Sequence, residues 1–355
     1  MSTTPTGQRR EADRPRGLDG HRGRGVGART AADEARSSYY GVSPIHKPHW
    51  KWLVVVYFFL GGIAGASYVI AAVSHLVGPK EDQPIARAGR YLSLAALVPC
   101  PILLVLDLHR PRRFLNMLRV VKFRSPMSVG TWGLLLFSGF SGLSALIQAA
   151  EDGLLGRGRA VGVMSRLPAR AVAVAGTPFG FFVAGYTGVL LAATAVPLWA
   201  KNARFMGPLF LSSAFSTAAS AITLVLSLRR RTPGEALHRL ERLERAAMVA
   251  ELGLLAASRA RLGPTAKPVV EGRLGGLLRY GTVGGGLLVP LAIQTASAIA
   301  GRPPSRPISM LASALVLTGG FVLRHAVVAG GRASADDPEA TFAYARRGLL
   351  ETPPR

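Results

Sequence analysis

From Trp52 to Val77 the chain contains no Asp, Glu, Lys or Arg, and that run limits the fold more than any other feature. About 20 apolar residues suffice to cross the hydrocarbon of a bilayer. Inside it every backbone N–H and C=O must be satisfied within the segment, so the run reads as a transmembrane helix. Gly61-Gly62 and Gly65-Ala66 leave part of its surface small enough for close helix packing. Further apolar runs follow at Tyr91 to Asp107, Gly130 to Ala149, Pro178 to Ala200, Pro208 to Leu228, Arg245 to Ser258, Leu274 to Ala300 and Ile308 to Ala329. The sixth span of this series is short, holds Glu251 at its middle and follows Glu235, Glu241 and Glu244, so an amphipathic helix lying at the interface competes with a crossing there. The expected architecture is all-α, a polytopic transmembrane helix bundle of about eight spans. Eight spans place both ends of the bundle on one membrane face, and seven place them on opposite faces.

Charge gathers between these runs. Lys and Arg number 43 against 19 Asp and Glu, a net charge of +24 that comes mostly from arginine. Arginines between spans suit anionic lipid headgroups or an acidic partner subunit. No basic helix interleaved with aromatics is present, so nucleic acid is not an expected partner. Basic residues fall at similar density on the two sides, and charge alone does not orient the bundle. Residues 1–38 form a basic tail with no apolar period, expected to be disordered. No apolar segment follows Arg9-Arg10 before Trp50, so a signal peptide is not expected. Tyr39-Tyr40 and the stretch Ile45 to Trp50 read as an interfacial approach to the first helix, within a membrane domain of residues 39–331, and residues 332–355 read as a short polar tail.

Cys100, between Pro99 and Pro101, is the only cysteine, so the protein forms no internal disulfide and cannot by itself supply the thiolates of an iron-sulfur cluster. No histidine pair lies within the spans, which argues against a di-haem b-type cytochrome, and no metal is expected in this chain. Asp107 ends the second span and is followed by a turn with His109, Arg110, Arg112 and Arg113. Such an acid either holds an arginine fork in an ion pair or handles protons at the membrane edge. Arg324 and His325 are expected to snorkel from the end of the last span toward headgroups.

Several stretches together resemble one family. They are Tyr57-Phe58-Phe59-Leu60-Gly61-Gly62-Ile63-Ala64-Gly65, the Asp107 to Phe114 turn, Ser125-Pro126-Met127-Ser128 with Trp132, and Tyr186-Thr187-Gly188 leading to Val196-Pro197-Leu198-Trp199. Ser212-Ser213-Ala214-Phe215-Ser216, Gly319-Gly320 and Leu323-Arg324-His325 complete the set. In this order they resemble the NrfD family, the membrane subunits of polysulfide reductase-type complexes. Two positions depart from its pattern: His109 stands where the family's turn has glycine, and Val129 where it has tryptophan.

The resemblance implies a subunit without haem or iron-sulfur cluster that docks a ferredoxin-like iron-sulfur subunit and exchanges electrons with a quinone, menaquinone or ubiquinone. A molybdopterin catalytic subunit commonly completes such complexes, and the basic turn His109 to Arg113 would face the partner. Alone the protein is non-catalytic or a quinone-reactive subunit, placed as a multi-pass protein of the cell membrane among membrane lipids. Quinone chemistry moves two electrons with two protons, so ring oxygens need hydrogen-bonding groups and the protons need a carrier. The resemblance puts Tyr186 at the quinone head group and Tyr57 at the polar position before the double glycine. Asp107, at the end of the second span, is the candidate for proton handling and the acid associate of Tyr186, and Glu251 is the candidate for a proton path if its helix crosses. Two alternatives remain, an inert membrane anchor and a secondary transporter, for which Gly284-Gly285-Gly286 with Pro290 offers a helix break but no repeated half.

Overall fold

The computed structural model describes residues 50–108, 114–119, 121–156, 158–164, 166–228, 234–302 and 304–336. The expected basic tail, the approach from Tyr39 to His49 and the C-terminal tail beyond 336 lie outside the described residues. Those that are described are mostly helical, with no strand among them. Seven helices are long and apolar enough to cross a bilayer: α1 Trp52–Leu76, α2 Lys80–Asp107, α3 Pro126–Glu151, α4 Ala169–Ala192, α5 Ala203–Leu228, α7 Gly272–Ile299 and α8 Arg306–Ala335. Between α5 and α7 lies α6, Gly234–Leu262.

Local sequence explains how these helices start and bend. Proline stands in the first turn of α3 and α8, where its missing N–H has no intrahelical acceptor to lose. In α2 the regular helix stops at Leu97 and resumes at Pro99, because Pro99 and Pro101 withdraw donors from the ladder. α2 also begins well before Tyr91. Its added turns carry Arg87 and Arg90, which bond the end of α3: Arg90 Nη1 donates to Gln148 Oε1 at 2.7 Å, and Arg87 Nε pairs with Asp152 at 2.8 Å. The break expected at Gly284 to Gly286 is a run of wider, π-type turns from Leu277 to Leu288 inside a continuous α7. There α7 and α8 touch backbone to backbone, since a Cβ on either Gly286 or Gly319 would strike the other residue. Thr282 Oγ1 closes the contact on the Gly319 carbonyl at 3.0 Å.

α1 is the hub. It packs on α2, α4, α5 and α8, and residues such as Phe58, Ala64, Ala66 and Tyr68 are fully enclosed.

The geometry of α6 settles its place. Lys201, just ahead of α5, donates to the Leu262 carbonyl (2.6 Å), and Asn202 to Ser258 (2.7 Å). Further along, Ser216 donates to Glu251 (2.9 Å) and Ser220 to Glu244 (2.5 Å). Numbers rise along α5 as they fall along α6, so the two run antiparallel over their whole length. With 29 residues α6 is about 43 Å long at 1.5 Å per residue, enough for a hydrocarbon core of about 30 Å. It therefore crosses beside α5. Arg332, near the end of α8, donates to the Trp50 carbonyl at 3.3 Å, so the last helix ends on the face where the first begins, as an even number of crossings requires. On the opposite face Arg239 of α6 pairs with Asp82 at the start of α2, at 2.9 Å.

Candidate functional site

At the face marked by Trp50, a cleft of about 200 Å³ opens between α1, α2, α3, α4 and the short helix Phe114–Arg119. Tyr57, Asp107 and Tyr186, three of the residues singled out in the sequence, all line it. Most of its remaining wall is apolar, including Leu104, Met127, Leu134 and Leu190. Its hydroxyl-bearing residues Thr131 and Ser138 spend their protons on helix carbonyls of Met127 and Leu134.

The two phenols differ in their bonding. Tyr186 stacks on Phe182 with ring centroids 4.5 Å apart and donates its proton to the Pro126 carbonyl at the start of α3. Gly130 lies against that ring, and a Cβ there would run into it. The hydroxyl of Tyr186 can therefore accept from a ligand while its own proton is engaged. Tyr57 is enclosed except for 7% of its surface, and its hydroxyl bonds no described residue, so it is free to donate into the cleft. Asp107 is half-buried at the mouth and makes neither hydrogen bond nor ion pair with a described residue.

Behind the cleft a line of polar side chains enters the bundle. Arg324 is 1% exposed and sits mid-helix, because α8 continues to Ala335; it cannot reach the headgroups, and the snorkelling expected for it does not occur. Its Nε donates to the carbonyl of Phe58, a residue of the cleft wall, at 3.2 Å, and its Nη1 to Ser213 at 3.0 Å and to the Gly320 carbonyl at 2.8 Å. The rings of Phe59 and Phe210 flank the guanidinium at 5.7 and 5.6 Å. Ser216 follows Ser213 by one turn and carries Glu251, which is 1% exposed; Ser220, one turn further, carries the fully buried Glu244. One oxygen of each carboxylate and Nη2 of Arg324 lack a well-formed hydrogen bond among the described residues, with Gln294 standing beside Glu244 and Ser213 beside Glu251. Burying such groups in hydrocarbon is costly unless they are paired or neutral. His325, by contrast, remains exposed.

Sequence reasoning passed over Glu244 and Arg324. The available signal was spacing: Ser213, Ser216 and Ser220 share one face of α5, and Glu244 and Glu251 share one face of α6. His109, Arg110, Arg112 and Arg113 lie outside the described residues. Cys100 is buried and bonded to the Ala96 carbonyl at 3.3 Å. Among the described residues no three His, Cys, Asp or Glu side chains converge as metal ligands.

Comparison with known proteins converges on one group. The profile of the family described as "Polysulphide reductase, NrfD" matches residues 44–335. A polysulfide reductase subunit of Wolinella succinogenes is 27% identical over 305 residues, which cover 80% of this chain and 94% of that protein.

Proposed function

This chain belongs to the NrfD family, a multi-pass protein of the cell membrane, and on that premise we propose that it is the quinone-reactive membrane subunit of a redox complex. It would exchange electrons between membrane quinone and a ferredoxin-like iron-sulfur subunit docked on the Trp50 face, with a molybdopterin enzyme as the catalytic partner. The observation that carries this reading is the convergence of Tyr57, Tyr186 and Asp107, from three separate helices, on one apolar cleft. Those residues suit a ring with two oxygens: apolar walls for the ring, an unengaged phenol to donate, and a second phenol to accept.

A quinone supplies the two-electron couple; the protein's own residues bind it and manage protons. Tyr57 would donate to a ring oxygen, while Tyr186, anchored on Pro126, would orient the ring by accepting from its hydroxyl in the reduced form. Asp107, at the mouth and bonded to no described residue, would exchange protons with the aqueous face. The line from Arg324 through Ser213, Ser216 and Glu251 to Glu244 would serve as a proton path toward the opposite face. An inert anchor has no use for these unpartnered groups.

The test is quinol-linked electron transfer in membranes carrying the whole complex. Tyr57→Phe keeps the ring and its packing but removes the donor, so turnover should fall about tenfold or more while assembly is intact. Unchanged turnover with normal assembly would remove Tyr57 from the site, and the same result in Tyr186→Phe and Asp107→Asn would leave the inert anchor as the better reading.

A further inference from the structure

A second, larger cavity of about 350 Å³ opens on the other side of the bundle, between α5, α6, α7 and α8. Ligand sites commonly occupy roughly 300–1,000 Å³, so it is of a size to receive a molecule. Its wall is mostly aliphatic, with Met206, Leu255 and Val283 among the lining residues. Two features separate it from a packing defect. Asn202 lines it and is 4% exposed; its amide nitrogen is satisfied by Ser258, but its carbonyl oxygen has no partner among the described residues. Arg259 and Arg279 also line the cavity, both are exposed, and neither forms an ion pair with a described residue. No carboxylate of the described residues lines it.

We propose that this cavity binds one anionic glycerophospholipid, one of its two acyl chains lying along the aliphatic wall and the other in the surrounding bilayer, its phosphate between Arg259 and Arg279, and a headgroup hydroxyl donating to the Asn202 carbonyl. Arginine suits phosphate through paired donors, and an unpartnered carbonyl at a buried position calls for a donor. A zwitterionic choline lipid offers neither a net negative charge nor a hydroxyl. The cavity shares the Trp50 face with the cleft of Tyr57 and Tyr186 but none of its lining residues, so this inference stands independently of the quinone reading.

The experiment uses the full-length protein, purified in mild detergent and reconstituted into nanodiscs of equal parts phosphatidylglycerol and phosphatidylcholine. Lipid retained after re-extraction is read by native mass spectrometry. We expect one phosphatidylglycerol per protein molecule in preference to phosphatidylcholine. Retention should fall about tenfold or more in the Arg259→Gln, Arg279→Gln double variant, both sites being exposed and outside the core. Ala256→Trp narrows the exposed edge of the cavity and keeps both arginines; it should lose the lipid as well. Lack of headgroup preference, undiminished retention in the double variant, or undiminished retention in Ala256→Trp would each overturn the proposal, the last by showing surface charge alone at work. A quinone in place of the phospholipid would also overturn it.

Discussion

Tyr57 and Tyr186 carry the same functional group, yet their surroundings give them different work. The proton of Tyr186 already belongs to the Pro126 carbonyl. Tyr186→Phe should therefore have a structural cost that Tyr57→Phe lacks, about 0.5–1.5 kcal/mol for the lost hydrogen bond. A thermal melt in detergent should show a lower midpoint for Tyr186→Phe and an unchanged one for Tyr57→Phe. If Asp107 handles protons, Asp107→Asn should leave the yield of assembled complex unchanged and reduce quinol-linked turnover. A loss of folded protein instead would mean that the carboxylate holds the loop. Arg324 behaves oppositely, since three separate acceptors rely on its fork. Arg324→Lys offers a point charge in place of a planar fork and should lower folded yield, with a penalty of about 1–3 kcal/mol for a buried acceptor left unpaired.

At the scale of elements, α6 invites the most direct check. Reporter tags placed after Trp50 and after Asp336 should emerge on the same membrane face; opposite faces would mean that α6 does not cross. Glu251→Gln keeps a hydrogen-bond acceptor for Ser216, so the helix should still seat against α5, while transfer that depends on the acid should drop. The α7–α8 contact is less forgiving: Gly286→Leu would force apart backbones that now meet at Gly319, and overpacking of this kind costs about 1–3 kcal/mol or more, visible as a fall in purified yield. The long apolar helices were plain in the sequence because lipid demands continuous hydropathy. The early turns of α2 were not, because Arg87 and Arg90 look like loop residues until Gln148 and Asp152 are seen opposite them. The same holds for α6, whose acids are matched by serines on another helix, and for Arg324, whose helix continues past the apolar run through Gly330 and Gly331. Hydropathy reports what faces lipid; pairing between helices is written only in three dimensions. The cleft itself was legible as its three polar residues, but its shared walls were not, since Met127 and Leu190 carry no signal of their own.

For the whole molecule, the buried line from Arg324 to Glu244 lies in the half built from α5, α6 and α8, and α1 joins that half to the cleft through the Phe58 carbonyl. Under the proposed function, any iron in the complex comes from its partner subunits. Metal analysis of the isolated subunit should show neither haem nor iron in proportion to the protein, and a stoichiometric Soret band would refute this. Arg324 and Phe58 also stand 266 positions apart, and Arg332 and Trp50 stand 282 apart. At synthesis rates of roughly 5–20 residues per second, the last helix leaves the ribosome roughly 13–55 seconds after the first. The hub helix is thus the earliest piece inserted and the last to be closed. During that interval the membrane must harbour a half-built bundle whose Phe58 carbonyl awaits its guanidinium, so the speed of translation and the insertase that shelters α1 bear directly on how many molecules mature.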